Sequence, residues 1–477
     1  MKQKKLSQLV GRLPEKIQQK IKNLSFEPVD EAAKRFVHSV GLRFKAGEWL
    51  AGFLPSSASL EGDVSDFEFF EHHHSTSHFL PFTEKVVMSQ GSKVCIIGDV
   101  HGDLEYLTDV LAQLQTQGLL EQDYQLIDPT AYIALVGDYT NRNPHSVEVM
   151  LVLFYLYRHN LGRVFLLRGN HEYAISTRVV YDLYQQFLGD RSLETAHGGV
   201  AIKHALIAEM SKKFSLYSFP DLLYWFDFLP LATYLGAYDE KARQFMYMTV
   251  CHGGIEPGYS AASLLSGPAK FERLKMLDRA AALKKLKEAN ILPAVDELFS
   301  AMGRRLRDIG MGAFVDSFTF QHGPVDLTRE QNPRKVRLGM QWNSFLTENN
   351  GNLPLATSQR HRNFLFGEAL TRYFLEQSSA PGHKVISIIR GHQHLDDVDP
   401  SIGLDSPMLS LLRENEGMVR QWKGMVHTLG DGGSATGWQA FLIVTTGKTL
   451  EEWTTTHYYR ADLEQPFESK TLPFIEK

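Results

Sequence analysis

Short apolar runs that stop abruptly at polar clusters recur along this chain. The run Val94 to Ile97 has no polar interruption, which fits a strand buried on both faces, and it stops at Gly98-Asp99-Val100-His101. Ala131 to Val136 repeats the design and ends in Gly137-Asp138-Tyr139-Thr140-Asn141-Arg142. Val164 to Leu167 repeats it again, ending in Arg168-Gly169-Asn170-His171-Glu172. Between these runs Leu104, Leu107, Val110, Leu111 and Leu114 fall at helical spacing, and Val147 to Tyr157 reads as a second helix. Strand, helix, strand, helix, strand predicts a largely parallel α/β sheet, whose ligands bind beyond the carboxyl ends of the strands.

The flanking pattern extends the sheet. Upstream, Lys85 to Ser89 and Lys93 to Ile97 enclose Gln90-Gly91-Ser92, which predicts a hairpin. The aromatic-rich stretch from Tyr173 to about Leu235 reads as mixed helical packing. Phe245 to Cys251 is a fourth strand and delivers His252-Gly253-Gly254, and Val385 to Ile389 leads into Arg390-Gly391-His392-Gln393-His394. Met425 to Leu429, Phe441 to Thr446 and Trp453 to Tyr459 alternate with Gly-rich turns and read as antiparallel.

The resulting division is a mostly helical accessory segment over 1–84, a main domain over 85–460 and a tail over 461–477. Within the main domain, 260–310 reads as a helical insertion. Its apolar stripe of Phe271, Leu274, Leu277 and Ala281 between basic positions makes it a candidate surface for a protein partner.

Composition narrows the class. With 477 residues, 43% hydrophobic and 22% charged, the chain can bury a large core as an ordinary globular protein. A net charge of -5 gives no support for nucleic-acid binding. Cys95 and Cys251 both sit inside strand-like runs, as small buried hydrophobes of a reducing compartment do. The basic start lacks an apolar core, and no run approaches about 18 apolar residues, so a cytoplasmic location without a membrane span is expected.

The strand ends supply Asp99, His101, Asp138, Asn170, His252 and His392. Taken singly, each has a bland alternative: Asp138 as a helix cap, or His252 as a core histidine. Together, oxygen and imidazole ligands without thiolate suit two closely spaced divalent metals of the manganese, iron or zinc type. Asp138 is central enough in the order to bridge them. Such a pair polarises a phosphoryl oxygen and makes hydroxide available near neutral pH. Arg142, Arg168 and one later arginine can clamp the phosphate, unless they pair with Glu172 or another acid. A protonated His171 can hand a proton to the leaving alkoxide. The histidines His72, His73 and His74 read as a solvated loop cluster, and His394 as a surface neighbour.

In order, GDVHGD, GDYTNR, LRGNHE, HGG and RGHQ resemble the signature blocks of the phosphoprotein phosphatase superfamily of metallophosphoesterases, over about Val94 to Thr446. The resemblance implies a calcineurin-like metallophosphoesterase β-sandwich flanked by helices and a dinuclear site. That site would hold Asp99, His101, Asp138, Asn170, His252 and His392, with His171 as general acid and Arg142 and Arg168 on the phosphate. A family arginine precedes a Phe-x-Phe-Gly block, and Phe364 to Gly367 here points to Arg360, with Arg362 a near competitor. The implied reaction is hydrolysis of phosphomonoesters on Ser/Thr or Tyr of a phosphoprotein by a metal-bridging hydroxide.

Two departures bear on specificity. The family usually has aspartate where Asn141 stands, and a neutral amide orients His171 without stabilising its charge. A weakened acid hurts alkoxide leaving groups most and a phenolate least, which favours phosphotyrosine or aryl phosphates. Eukaryotic members also carry Ser-Ala-Pro-Asn-Tyr where this chain has Gly430-Asp431-Gly432-Gly433-Ser434. With the insertion and the long N-terminal segment, the chain resembles divergent bacterial members, among them effector phosphatases delivered into host cells. The rival readings are a dinucleoside-polyphosphate hydrolase and a pseudophosphatase that only binds phosphoproteins.

Overall fold

The computed structural model describes residues 6–22, 26–43, 48–50, 81–140, 142–143, 145–172, 228–256, 259–274, 276–277, 325–326, 339–350, 353–357, 363–393, 395–399, 404–432 and 436–476. Two large sheets face one another. The second contains β1 (Phe82–Val87), β5 (Ala232–Asp239), β6 (Gln244–Cys251), β7 (Phe271–Arg273), β8 (His383–Arg390), β9 (Met418–Gln421) and β10 (Val426–Leu429), in the order β9-β10-β8-β6-β5-β1-β7. The first contains β2 (Lys93–Ile97), β3 (Ala131–Leu135), β4 (Val164–Leu166), β11 (Gln439–Thr445), β12 (Thr454–Arg460) and β13 (Glu468–Pro473), in the order β13-β12-β11-β2-β3-β4. Strands β2, β3 and β4 run parallel, as do β6, β8 and β10.

Alternation along β2 explains its unbroken apolar run. Val94 and Ile96 point between the sheets, where they pack with Ala134, Phe165, Leu235, Met248, Val250, Ile389 and Leu442. Cys95 and Ile97 point outward into a helical layer. That layer is α1 (Leu6–Val10), α2 (Glu15–Lys22), α3 (Phe26–Gly41), α4 (Leu104–Thr116) and α5 (Ser146–His159). Ile17, Phe36, Leu107, Leu111, Phe154 and Tyr157 belong to its single apolar cluster. Burying a side chain such as Phe36, which is 0% exposed, contributes about 2–3 kcal/mol. On the far side of the second sheet, Tyr234, Cys251 and Ile388 pack with Leu370 and Phe374 of α6 (Glu368–Gln377). The architecture is therefore helix, sheet, sheet, helix, with both cysteines buried and free.

The sandwich corrects several expectations. The segment Gln90-Gly91-Ser92 is no hairpin: β1 pairs with β5 and β7, whereas β2 pairs with β11 and β3, so the turn crosses between sheets. The stretch read as helical packing up to Leu235 yields β5, which runs antiparallel to β6. The helical stripe at Phe271 begins as β7, because the exposed edge of β1 takes a partner there and Phe271 packs on Trp49 at 5.1 Å between ring centroids. The strands after Met425 divide between sheets: β10 runs parallel to β8, and β11 and β12 are antiparallel in the other sheet. Within the tail, Glu468–Pro473 adds an edge strand to β12. Residues 173–227 and 278–324, and His72 to His74, lie outside the described residues. Among the described residues no helix is long and apolar enough to cross a membrane.

Candidate active site

Six parallel strands end at one seam between the sheets. From the first sheet, β2 delivers Asp99 and His101, β3 delivers Asp138, and β4 leads to Asn170 and His171. From the second, β6 delivers His252, β8 delivers His392 and β10 delivers Asp431. A backbone contact crosses the seam, Gly432 N donating to Asp99 O at 3.0 Å, and within the second sheet Gly391 N donates to His252 O at 3.2 Å.

Local backbone strain gathers here. His101 (φ 47°), Asp138 (φ 52°), Arg142 (φ 70°) and His392 (φ 68°) all lie in the left-handed region that side chains other than glycine's seldom adopt. Gly137 (φ 115°) approaches the Arg168–Asn170 loop so closely that a Cβ on it would stand 2.5 Å from Gly169 N. The buried Glu172 carboxylate fastens the same two loops by accepting from the N–H groups of Asp138 (2.5 Å), Tyr139 (2.9 Å) and Gly169 (2.9 Å).

Second contacts orient the imidazoles. His101 Nδ1 lies 3.1 Å from Thr140 O; a carbonyl only accepts, so Nδ1 carries the proton and Nε2 presents a lone pair. That Nε2 faces Asp138 Oδ2 at 3.5 Å and Asp99 Oδ2 at 3.8 Å. His392 Nε2 lies 3.1 Å from Trp342 O and Nδ1 3.0 Å from Asn170 Oδ1; both oxygens only accept, so a neutral ring donates to one and turns its lone pair on the other. His252 Nε2 stands 2.8 Å from the same Asn170 oxygen and 3.2 Å from Asp138 Oδ2. Two ligand groups result, His101 with Asp138 and His171, and Asp138 with His252 and His392, each with its ligand atoms within 4.8 Å of one another. Asp138 belongs to both. Buried lone pairs facing buried carboxylates fit divalent cations better than they fit one another.

Burial sets two of the imidazoles apart from the third: at His252 it is outweighed by Asp138 and Asp99, which raise the pKa. Burial, against the pull of the carboxylates, pushes His101 down to about 3 and His392 well below the ordinary imidazole range. Burial alone would raise Asp138, but His252 and His171 hold it well below the usual carboxylate value. Burial also lowers His171, opposed by Asp138 and reinforced by Arg142. His171 Nε2 lies 3.9 Å from Asp138 Oδ2, with its side chain 29% exposed at the mouth of the centre.

Arg142 is 39% exposed and places Nη1 3.8 Å from Asp431 Oδ2. Arg168 is buried and donates from Nε to Glu172 O at 3.1 Å. The Glu172 carboxylate itself accepts from backbone N–H groups. Asn141, Arg360, Arg362 and His394 lie outside the described residues. Sequence reasoning missed Gln341, which is buried and donates from Nε2 to Gly169 O at 2.9 Å. It also missed Asp431, although Leu429-Gly430-Asp431 repeats the strand-Gly-Asp pattern of Ile97-Gly98-Asp99 and Val136-Gly137-Asp138.

Fold and strand-end donors together define a metallophosphoesterase. Residues 92–396 match the family model of the calcineurin-like phosphoesterases, and the chain belongs to that family. It is 28% identical over 188 residues to the serine/threonine-protein phosphatase PP2A-like PPG1 of Candida albicans, covering 39% of this chain and 35% of that protein. It is 35% identical over 106 residues to the bis(5'-nucleosyl)-tetraphosphatase PrpE of Oceanobacillus iheyensis, covering 22% of this chain and 37% of that one. The chain thus spans little more than a third of the length of these curated relatives. A solved protein serine/threonine phosphatase from Saccharomyces cerevisiae overlaps 98% of both chains at 16% identity with a TM-score of 0.40, too loose a likeness to add weight. The family implies divalent metal ions.

Proposed function

We propose that the chain is a metal-dependent phosphoprotein phosphatase that hydrolyses phosphomonoesters on Ser/Thr or Tyr. The observation that carries this reading is Asp138, whose carboxylate is common to both ligand groups, as a bridging ligand of two ions requires. Asp99, His101 and Asp138 would hold one ion, and Asp138, Asn170, His252 and His392 the other. Two divalent ions, with manganese the first choice in vitro and iron or zinc the alternatives, would supply an acidified water and a polarised phosphoryl oxygen.

The remaining work falls to side chains. Arg142 and Arg168 hold the phosphate oxygens, joined by Arg360 on the family pattern. His171 protonates the leaving oxygen. With Asn141 beside it in sequence instead of an acid, that step limits alkoxide more than phenolate leaving groups. Asn141→Asp is expected to speed phosphoserine-peptide hydrolysis about tenfold more than phosphotyrosine-peptide hydrolysis; equal changes on both would refute the assignment.

A second reading, nucleotide hydrolysis, is favoured by the similarity to the tetraphosphatase of Oceanobacillus iheyensis. Turnover of phosphoserine, phosphothreonine and phosphotyrosine peptides beside dinucleoside tetraphosphate, with added manganese and a His171→Ala control, separates the two. Phosphopeptide turnover that falls in the control supports the phosphatase. Turnover of the nucleotide alone moves the assignment to the second reading, and no turnover of either rejects both.

A further inference from the structure

Five of the six parallel strand ends at the seam carry a residue already assigned to metal or proton chemistry; the sixth, the end of β10, carries Asp431. Its side chain is 0% exposed, and its backbone bridges Asp99 across the two sheets. A carboxylate so placed gains from a cation, and the guanidinium of Arg142 stands 3.8 Å away. Arg142 is itself unusual: a half-exposed side chain on left-handed backbone, at the mouth of the centre. Guanidinium offers five N–H donors in a rigid fork, so one edge can face a protein carboxylate while the other faces a phosphate.

We infer that Asp431 is a positioning residue that anchors Arg142 from behind and aims its free edge at the phosphoryl group. The assignment rests on the phosphatase reading for the role of Arg142. The chemistry is specific to this loop, because the Gly430-Asp431-Gly432 turn places a buried anion at the strand end next to the phosphate clamp. Loss of the anchor lets the guanidinium sample other rotamers, and misplacement on the ångström scale costs one to two orders of magnitude in rate.

The test is a double-mutant cycle in the full-length, manganese-loaded protein. It compares wild type, Asp431→Asn, Arg142→Ala and the double variant, with para-nitrophenyl phosphate as substrate and orthophosphate affinity measured by calorimetry. Asp431→Asn is expected to lower kcat/KM about tenfold and to weaken orthophosphate binding, yet to change either by less than about twofold once Arg142 is alanine. Bound manganese should stay at the wild-type level. Equal losses in both backgrounds, or loss of metal, would assign Asp431 to the integrity of the seam and overturn the inference, as would an Asp431→Asn enzyme with unchanged kinetics. Should Asp431→Asn fail to fold, Asp431→Ser in the same cycle decides by the same criterion. An inactive wild type counts against the phosphatase reading, whereas the calorimetric cycle still decides whether Asp431 acts through Arg142.

Discussion

At the junction of the N-terminal helices with the second sheet, Arg43 pairs with Glu84, and its Nη1 donates to the Tyr157 hydroxyl at 3.2 Å. The guanidinium also lies 5.6 Å from the ring centre of Phe165. At the seam, Asp99 and Asp138 are as deeply buried, yet they face imidazoles, among them the lone pair of His101. The first cluster is closed. Burial works against the charge on Arg43, but Glu84 and Tyr157 outweigh it and hold the guanidinium above its ordinary range. The second is open: its side chains gather in groups of the kind that hold a metal ion. Burial of charge alone does not mark a functional site; what matters is whether the protein itself supplies the counter-charge.

The sharpest way to break that contrast is to remove one carboxylate from each cluster. Asp138→Asn is expected to lower kcat/KM at least about a thousandfold, the scale of lost metal stabilisation, while the metal-free unfolding free energy changes by less than about 1 kcal/mol. Glu84→Gln should do the reverse. It leaves a buried guanidinium unpaired and lowers stability by about 3–5 kcal/mol, with kcat/KM of the folded enzyme within about twofold of wild type. Urea unfolding and steady-state kinetics on both variants measure the four quantities. A large kinetic defect in folded Glu84→Gln, or a large stability defect in metal-free Asp138→Asn, would erase the distinction.

Metal linkage refines it. Manganese at about 100 times its dissociation constant should raise the unfolding free energy by about 2.7 kcal/mol in wild type and in Glu84→Gln. Asp138→Asn should gain much less. An equal gain in all three would place the bound ion away from Asp138.

The open cluster was legible in the sequence and the closed one was not, for a physical reason. Asp99, Asp138, Asn170, His252 and His392 each follow a predominantly apolar strand, and the end of a parallel strand is where a sheet exposes side chains to a ligand. The local pattern therefore carries the site. Arg43 and Glu84 are separated by chain with no recurring pattern, and only packing of α3 onto the sheet brings them together. The same limit explains the misread hairpin. Glycine at Gly91 with φ 78° suits a tight turn, but whether the strands on either side pair depends on β5 and β11, which lie far along the chain. Short runs such as Phe271 to Arg273 fit strand or helix equally, and the edge of β1 decides. Asp431 is harder to see because its loop departs from the family pattern, although its Gly-Asp signature matches the loops of Asp99 and Asp138.

A third kind of buried polar group extends the comparison to pH. His427 on β10 is 0% exposed, stacks on Phe474 at 5.2 Å between ring centres, and places Nε2 3.0 Å from Gly424 O. It has no counter-charge beside it, only the Gly424 carbonyl at Nε2. Burial, then the nearby Arg420, pushes its pKa down to about 3, against about 6.5 in an unfolded chain. Between those values the unfolded chain binds a proton that the folded protein refuses, so stability falls as pH drops below about 6.5 and is intact above it. One such group loses about 1.4 kcal/mol between pH 7.5 and 5.5. His427→Phe keeps the ring stack and removes the titration, so its stability should fall by about 1.4 kcal/mol less than wild type over that interval, whatever the substitution costs at pH 7.5. Parallel pH profiles for the two proteins would show instead that His427 takes up its proton in the folded state.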